Sequence, residues 1–168
     1  MNIILTGVKG VGKTTWGKKL AEKVQYRFID TDQEIEAMHF KREKEHLKCR
    51  EIHQNFGEIY FRTLEKEVIF SLREAKKSII ALGGGAILSS TTRRSLPELG
   101  TIICLYLDSS EIEKKWAEIP NPTFLKKGYD FQTAYKERMD KIRDLPCTWI
   151  RADSENIMEI LEGIVHGQ

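Results

Sequence analysis

Short apolar runs alternate with longer amphipathic stretches along most of the chain. Five runs have the length and composition of buried strands, at residues 2–6, 27–29, 78–82, 101–107 and 148–151. Strands that are apolar at nearly every position are typical of a parallel sheet covered on both faces. Between them, apolar residues recur at helical spacing. The alternation predicts a three-layer α/β fold with a mostly parallel sheet of about five strands.

The pattern changes between Asp32 and Leu82, where the chain is polar and has no strand-like run. Ligands of open α/β sheets bind beyond the carboxyl ends of the strands. We therefore expect residues from about 33 to 75 to form a helical acceptor-binding lobe over that edge, within one domain spanning residues 1–168. We expect the charged run at 41–46 to be solvated. A broken apolar stripe crosses the stretch at Ile52, Phe56, Ile59, Tyr60, Leu64, Val68 and Leu72.

Local signals predict one mobile connection and two helix starts. Pro120, Pro122 and Gly128 oppose a regular helix. We expect a lid at about 119–131, which would exclude water from a phosphoryl group; a plain surface loop is the alternative. The segments 108–111 and 153–155 each combine a capping residue with an early acid, which predicts that helices begin there.

Composition and charge exclude several classes of protein. Of the 168 residues, 40% are hydrophobic and 31% charged, and the net charge of +2 gives no support for nucleic acid as the main partner. Cys49, Cys104 and Cys147 form no C-x-x-C pair, which indicates reduced thiols. The first strand leaves no room for a signal peptide, and no apolar run could span a membrane. We therefore expect a cytoplasmic protein. Nothing in the sequence requires an oligomer, so we also expect a monomer.

A glycine-rich stretch from Gly7 to Thr15 joins the first strand to the first helix. It reads G-V-K-G-V-G-K-T-T and matches the phosphate-binding pattern G-x-x-x-x-G-K-[ST] at every fixed position. Lys13 would supply a cation for the outer phosphates, and the Thr14 hydroxyl a ligand for Mg²⁺. A glycine turn that binds nothing is the alternative. The expected nucleotide contacts are Gly10, Val11, Gly12, Lys13, Thr14 and Thr15.

Acidic residues follow the second strand at Asp30 and Asp32. Alternate residues at a strand end point the same way, so both carboxylates can face one cleft. One could hold the magnesium shell while the other orients or deprotonates an acceptor hydroxyl. The alternative is that Asp32 merely caps the next helix.

Three later features are suited to binding an acceptor. Arg62 and Glu65 share a helix face, so Glu65 could fix the guanidinium as a fork for a carboxylate, although a surface ion pair would look the same. The triple glycine at 83–85 would let a ligand lie against a backbone N–H, or would form only a turn. Arg138 is one of several basic residues in the helix after the expected lid.

Together these motifs resemble the shikimate kinase family and occur in its order over essentially the whole chain. The motifs are the phosphate loop, Asp30-x-Asp32, G-E-x-x-F-R-x-x-E at 57–65, L-G-G-G-A at 82–86 and Glu137-Arg138. The resemblance implies that MgATP phosphorylates a hydroxyl of shikimate. It makes Asp32 the holder of the reacting hydroxyl and a candidate base, and Lys13 a contact of the transferring phosphate. It further assigns Asp30 to magnesium through water, and the rest of the acceptor to Arg62, the Gly84 N–H and Arg138.

The sequence departs from the family pattern in three places. Family lids carry an arginine in an R-P-L-L-like element, but no arginine occurs between Trp116 and Glu137, where Lys126 and Lys127 are candidate substitutes. The stretch before residue 57 is longer than usual. The usual P-L-Y after the late arginine is replaced at 140–142, which leaves Arg143 as a weaker candidate for the acceptor carboxylate. A kinase for another hydroxy acid, such as gluconate, and a non-catalytic nucleotide-binding protein remain the alternatives.

Overall fold

The computed structural model describes residues 1–119 and 130–167. Its strands are β1 (Ile3–Thr6), β2 (Arg27–Asp30), β3 (Ser78–Ala81), β4 (Thr101–Tyr106) and β5 (Cys147–Arg151). Its helices are α1 (Lys13–Val24), α2 (Thr31–Glu43), α3 (Cys49–Ser71), α4 (Ser90–Leu99), α5 (Ser109–Ala117), α6 (Phe131–Arg143) and α7 (Ile157–His166). Single turns of 3-10 helix cover Leu72–Glu74 and Ala86–Leu88. No helix in these ranges is long and apolar enough to cross a membrane.

The five strands form one parallel sheet in the order β2-β3-β1-β4-β5. Every residue of β1 and β3 is buried, because helices cover both faces of the sheet. The fold class inferred from the sequence is therefore confirmed. The chain leaves β1 toward β2 on one side and places β4 on the other, so a crevice opens at the carboxyl end of β1.

Helices α2 and α3 pack against each other over a small core of their own. Ile35, Ile52, Leu64 and Val68 form that core, and each is almost fully buried. Gly57 interrupts α3 with φ 84° and ψ 170°, a conformation that favours glycine. The interruption shifts the helical phase, so Ile59 is 87% exposed, and its predicted place in the apolar stripe is wrong. The extent of the acceptor-binding lobe, about 33–75, stays a prediction.

One of the two helix starts expected from capping residues is correct. Asp108 caps α5 and forms a capping box with Glu111. The start expected at 153–155 is wrong, because α7 begins at Ile157 after Asn156. The Asp153 carboxylate instead accepts a hydrogen bond from Arg151 Nε at 2.7 Å. The expected lid, at about 119–131, lies mostly outside the described residues.

Candidate active site

A cavity of about 620 Å³ opens at the carboxyl edge of the sheet. Five separate parts of the chain line it: the phosphate loop, the end of β2 with the start of α2, helix α3, the triple glycine and helix α6. Most of the expected site residues share this lining: Gly10, Gly12, Lys13, Thr14, Thr15, Asp30, Asp32, Arg62, Gly84 and Arg138. Val11 is the exception, since its side chain is buried in the core beneath the loop. The sheet thus brings together motifs that are far apart in sequence.

The phosphate loop presents the amino terminus of α1 to the cavity. Gly12 precedes the helix with φ 98°, and the first turn contains no acidic residue. The dipole of α1 therefore favours an anion at this helix amino terminus. Lys13 Nζ donates to the carbonyl oxygens of Gly7 at 2.8 Å and Val8 at 3.0 Å. Burial lowers the pKa of Lys13 to about 8, although nearby Asp32 opposes the shift.

Thr14 and Asp30 place two oxygen ligands side by side. The Thr14 hydroxyl donates to Asp30 Oδ2 at 2.9 Å. Asp30 Oδ1 accepts from the Asp32 backbone N–H at 3.0 Å, so Asp30, and not Asp32, caps α2. A hydroxyl and one carboxylate fit Mg²⁺, which usually keeps several waters and binds few protein groups. No group of three or more His, Cys, Asp or Glu side chains that could hold a metal ion occurs within residues 1–119 and 130–167.

Asp32 lies in the cavity at the first turn of α2, directly beside Gly83 of the triple glycine. Burial raises its pKa to about 6, Asp30 adds to the rise, and Lys13 and Lys9 oppose it. A Cβ atom on Gly83 would lie 2.1 Å from Asp32 Oδ1. The Gly83 N–H in turn donates to Thr31 Oγ1 at 2.8 Å. The glycine that the structure requires beside the carboxylate is therefore Gly83, which sequence reasoning did not single out.

Arg62 and Arg138 face the same cavity from different helices. Arg62 donates to Glu65 at 2.8 Å, as the helix spacing predicted, and its side chain is 26% exposed. Burial raises the pKa of Glu65, and Arg62 opposes the rise. A buried acid beside a half-buried guanidinium is more than a solvated surface pair.

Arg138 is only 3% exposed and donates to Ala134 O at 2.9 Å. Burial lowers its pKa, Glu137 opposes that shift, and the charge of Arg62 lowers the pKa further. Two guanidinium groups that repel each other in one cavity favour binding of an anion between them. The weaker candidate, Arg143, pairs with Asp140 at 3.1 Å on the surface and does not line the cavity.

Several residues of the cavity wall were not found by sequence reasoning. They include Lys9, Cys49, Arg50, His53, Glu58 and Phe61. Cys49 Sγ donates to the Asp32 carbonyl at 3.3 Å, and the His53 ring packs edge-on against Phe61 at 5.6 Å. Glu58 and Phe61 belong to the G-E-x-x-F-R motif itself, and the three residues before it lie within about two helical turns of Gly57. Lys9 carried a clearer signal, since it is a cation within the phosphate loop.

The parallel sheet, the phosphate loop on its central strand and a cavity holding paired carboxylates and arginines define a phosphate-loop kinase of small molecules. The family model described as shikimate kinase matches residues 9–166. The chain belongs to the shikimate kinase family.

Curated relatives and solved structures agree with that family. A shikimate kinase from Persephonella marina is 36% identical over 146 residues, which are 86% of this chain and 78% of that protein. One from Alkaliphilus oremlandii is 41% identical over 68% of this chain, and the alignment spans 62% of that protein. The solved structure of a shikimate kinase from Acinetobacter baumannii, in complex with shikimate, has a TM-score of 0.80 at 28% identity, covering 98% of this chain and 90% of that one.

A gluconokinase from Sinorhizobium meliloti bears on the alternative acceptor. It is 15% identical, with a TM-score of 0.51 over 99% of this chain and 90% of that one. Such a likeness shows a shared fold alone.

Proposed function

We propose that the chain transfers the γ-phosphoryl group of ATP to the 3-hydroxyl of shikimate, a step of chorismate and aromatic amino acid biosynthesis. One observation carries the proposal: a single cavity holds the phosphate loop, the Asp30–Asp32 pair, and both Arg62 and Arg138. Membership of the shikimate kinase family supports the same reaction. The cavity supplies groups for a phosphate donor at one end and for an acceptor carrying a carboxylate and hydroxyls at the other.

The acceptor end would be held mainly by charge. Arg62 and Arg138 would bind the carboxylate of shikimate, because guanidinium groups form paired hydrogen bonds with carboxylates. Glu65 would keep Arg62 aimed at the cavity through the 2.8 Å bond. The Gly84 N–H would contact the ring side of the acceptor, where the glycine backbone lines the cavity.

Asp32 would hold the reacting hydroxyl and accept its proton. A pKa of about 6 leaves the carboxylate ionised at neutral pH while keeping it a stronger base than an exposed aspartate. The hydroxyl oxygen attacks the γ-phosphorus, the bond to the bridging oxygen breaks, and that oxygen leaves with the electron pair as part of ADP. Lys13 would move from the loop carbonyls to the transferring phosphate and neutralise its charge.

Magnesium would bind at the donor end. The Thr14 hydroxyl would be a direct ligand and Asp30 would act through water, in agreement with the oxygen pair that they form. The ion would neutralise charge on the phosphates. We further propose that the protein acts as a monomer, because one chain supplies every group named above; light scattering of the purified protein tests this. We also propose that it acts in the cytoplasm and without a nucleic-acid partner.

The decisive experiment measures ADP release by the purified protein with MgATP and one acceptor at a time. We expect release that depends on shikimate and is absent or far slower with gluconate. Release that follows gluconate would assign the chain to the alternative acceptor. Nucleotide binding without turnover on either acid would support the non-catalytic alternative instead.

A further inference from the structure

Lys9 lies where the donor and acceptor ends of the cavity meet. It is the third residue of the phosphate loop, its side chain is exposed, and it lines the cavity. A Cβ atom placed on Gly84 would be 3.4 Å from both the Cβ and the backbone nitrogen of Lys9. Lys9 supplies the three heavy atoms nearest to that position, so the phosphate loop approaches the triple glycine at Lys9.

The backbone of Lys9 is fixed by the neighbouring helix α5. Trp116 Nε1 donates to the Lys9 carbonyl at 2.8 Å, and Lys115 Nζ donates to the next carbonyl, that of Gly10, at 3.2 Å. Trp116 is only 3% exposed, and its ring packs edge-on against Phe131 at 5.2 Å. A side chain that starts from an anchored backbone is better placed to act on a reacting group than one on a free loop.

Lys9 shares one cavity wall with groups of both ends. The same lining contains Lys13 and Thr14 at the donor end, and Asp32 and Arg62 at the acceptor end. A cation in this lining beside Gly84 lies within reach of the space between the two ends.

Phosphoryl transfer requires cations in that space. Negative charge spreads over the three equatorial oxygens of the transferring group, and such enzymes usually add a cation there beyond the loop lysine and the metal. The sequence has no arginine between Trp116 and Glu137 to supply one from the expected lid.

We propose that Lys9 is a second catalytic cation of the phosphate loop, which binds an equatorial oxygen of the γ-phosphoryl group as it passes from ATP to the acceptor. The proposal rests on the proposed function for the identity of the acceptor. The bonds made and broken are those given above: oxygen attacks phosphorus, ADP leaves with the bridging electron pair, and Asp32 takes the proton. Lys9 contributes only charge and hydrogen bonds, and takes no part in the proton transfer.

The test compares Lys9→Met and Lys9→Arg with the wild type and with Lys76→Met. Lys76 is an exposed lysine just before β3, at the amino ends of the strands, whereas the cavity opens at their carboxyl ends. The control therefore makes the same change away from the cavity. We expect Lys9→Met to lower kcat about 100-fold, the lower end of what loss of one charge-stabilising donor costs. Lys9→Arg should recover most of the loss, and Lys76→Met should match the wild type.

Ligand binding separates transition-state charge from loop structure. The dissociation constant of MgADP should change less than about threefold in Lys9→Met, whereas trapping of MgADP with tetrafluoroaluminate should weaken about as much as kcat does. A fall in kcat below about fivefold, or a loss of MgADP affinity as large as the loss of kcat, would overturn the role. If the wild type does not use shikimate, the proposed function fails, and the tetrafluoroaluminate comparison still decides the role of Lys9.

Discussion

Replacing Gly83 by alanine is the sharpest test of how the site holds Asp32. The new Cβ atom would meet Asp32 Oδ1 at 2.1 Å, and an ordinary contact is 3.4 Å, so the carboxylate must move by about 1.3 Å. A misplacement of about 1 Å in a reacting group costs about 100-fold in rate. We therefore expect Gly83→Ala to lower kcat on that order, with the dissociation constant of MgADP unchanged.

Folding should tolerate the same substitution. The atom that must move is the end of a side chain, and alanine reduces the entropy of the unfolded chain, so the free energy of unfolding should change by less than about 1 kcal/mol. Coupled-enzyme kinetics and urea unfolding measure the two effects. Gly85→Ala is the matched control, because its Cβ would lie 3.8 Å from Arg62 Nη1, an ordinary contact, and its loss of kcat should be far smaller.

Two results would refute this reasoning. If Gly83→Ala keeps kcat within about threefold of the wild type, the position of Asp32 does not limit the reaction. If Gly83→Ala and Gly85→Ala lose activity equally, the glycines matter for the backbone as a whole and not for the space beside Asp32.

Four further predictions concern groups in or near the cavity. Because burial and Asp30 hold the pKa of Asp32 at about 6, kcat should rise with pH through about 6 and then level off; a flat profile would contradict its role as base. The pKa of Asp32 in the folded protein exceeds the ordinary 3.8, so folding stability falls as the pH rises from 3.8 to about 6 and stays lower above that. Asp32→Asn removes this cost, so it should abolish turnover yet raise Tm above pH 6. Glu65→Gln weakens the hydrogen bond that Arg62 donates to residue 65, so the KM for shikimate should rise about tenfold while the KM for ATP stays unchanged. Titrations of each substrate measure both constants. Trp116→Phe keeps an aromatic ring, although a smaller one, and removes the donor to the Lys9 carbonyl, so kcat should fall several-fold and Tm should drop because the buried space is less well filled. If kcat of Trp116→Phe equals that of the wild type, this bond does not position the loop.

Local chemistry made the phosphate loop and the sheet predictable. The five apolar runs became five strands to within one residue at each end. The signal was clearest for β1 and β3, which are buried on both faces and so have few polar positions. The loop from Gly7 to Thr15 was recognisable because phosphate binding constrains adjacent residues. Ile59 was misjudged for the same local reason: a stripe that looks continuous in sequence loses its phase when Gly57 turns the backbone.

By itself, then, the sequence determined the strand and helix alternation, the nucleotide-phosphate loop, and the set of acids and arginines expected around it. Only the tertiary structure decided which of these groups meet. Asp30 proved to be the cap of α2, Gly83 the glycine pressed against Asp32, and Lys9 the loop residue that touches Gly84. The approaches of Gly83 to Asp32 and of Gly84 to Lys9 join residues far apart in the chain. Their distances depend on how the loops and helices pack on the sheet, which no spacing along the sequence records.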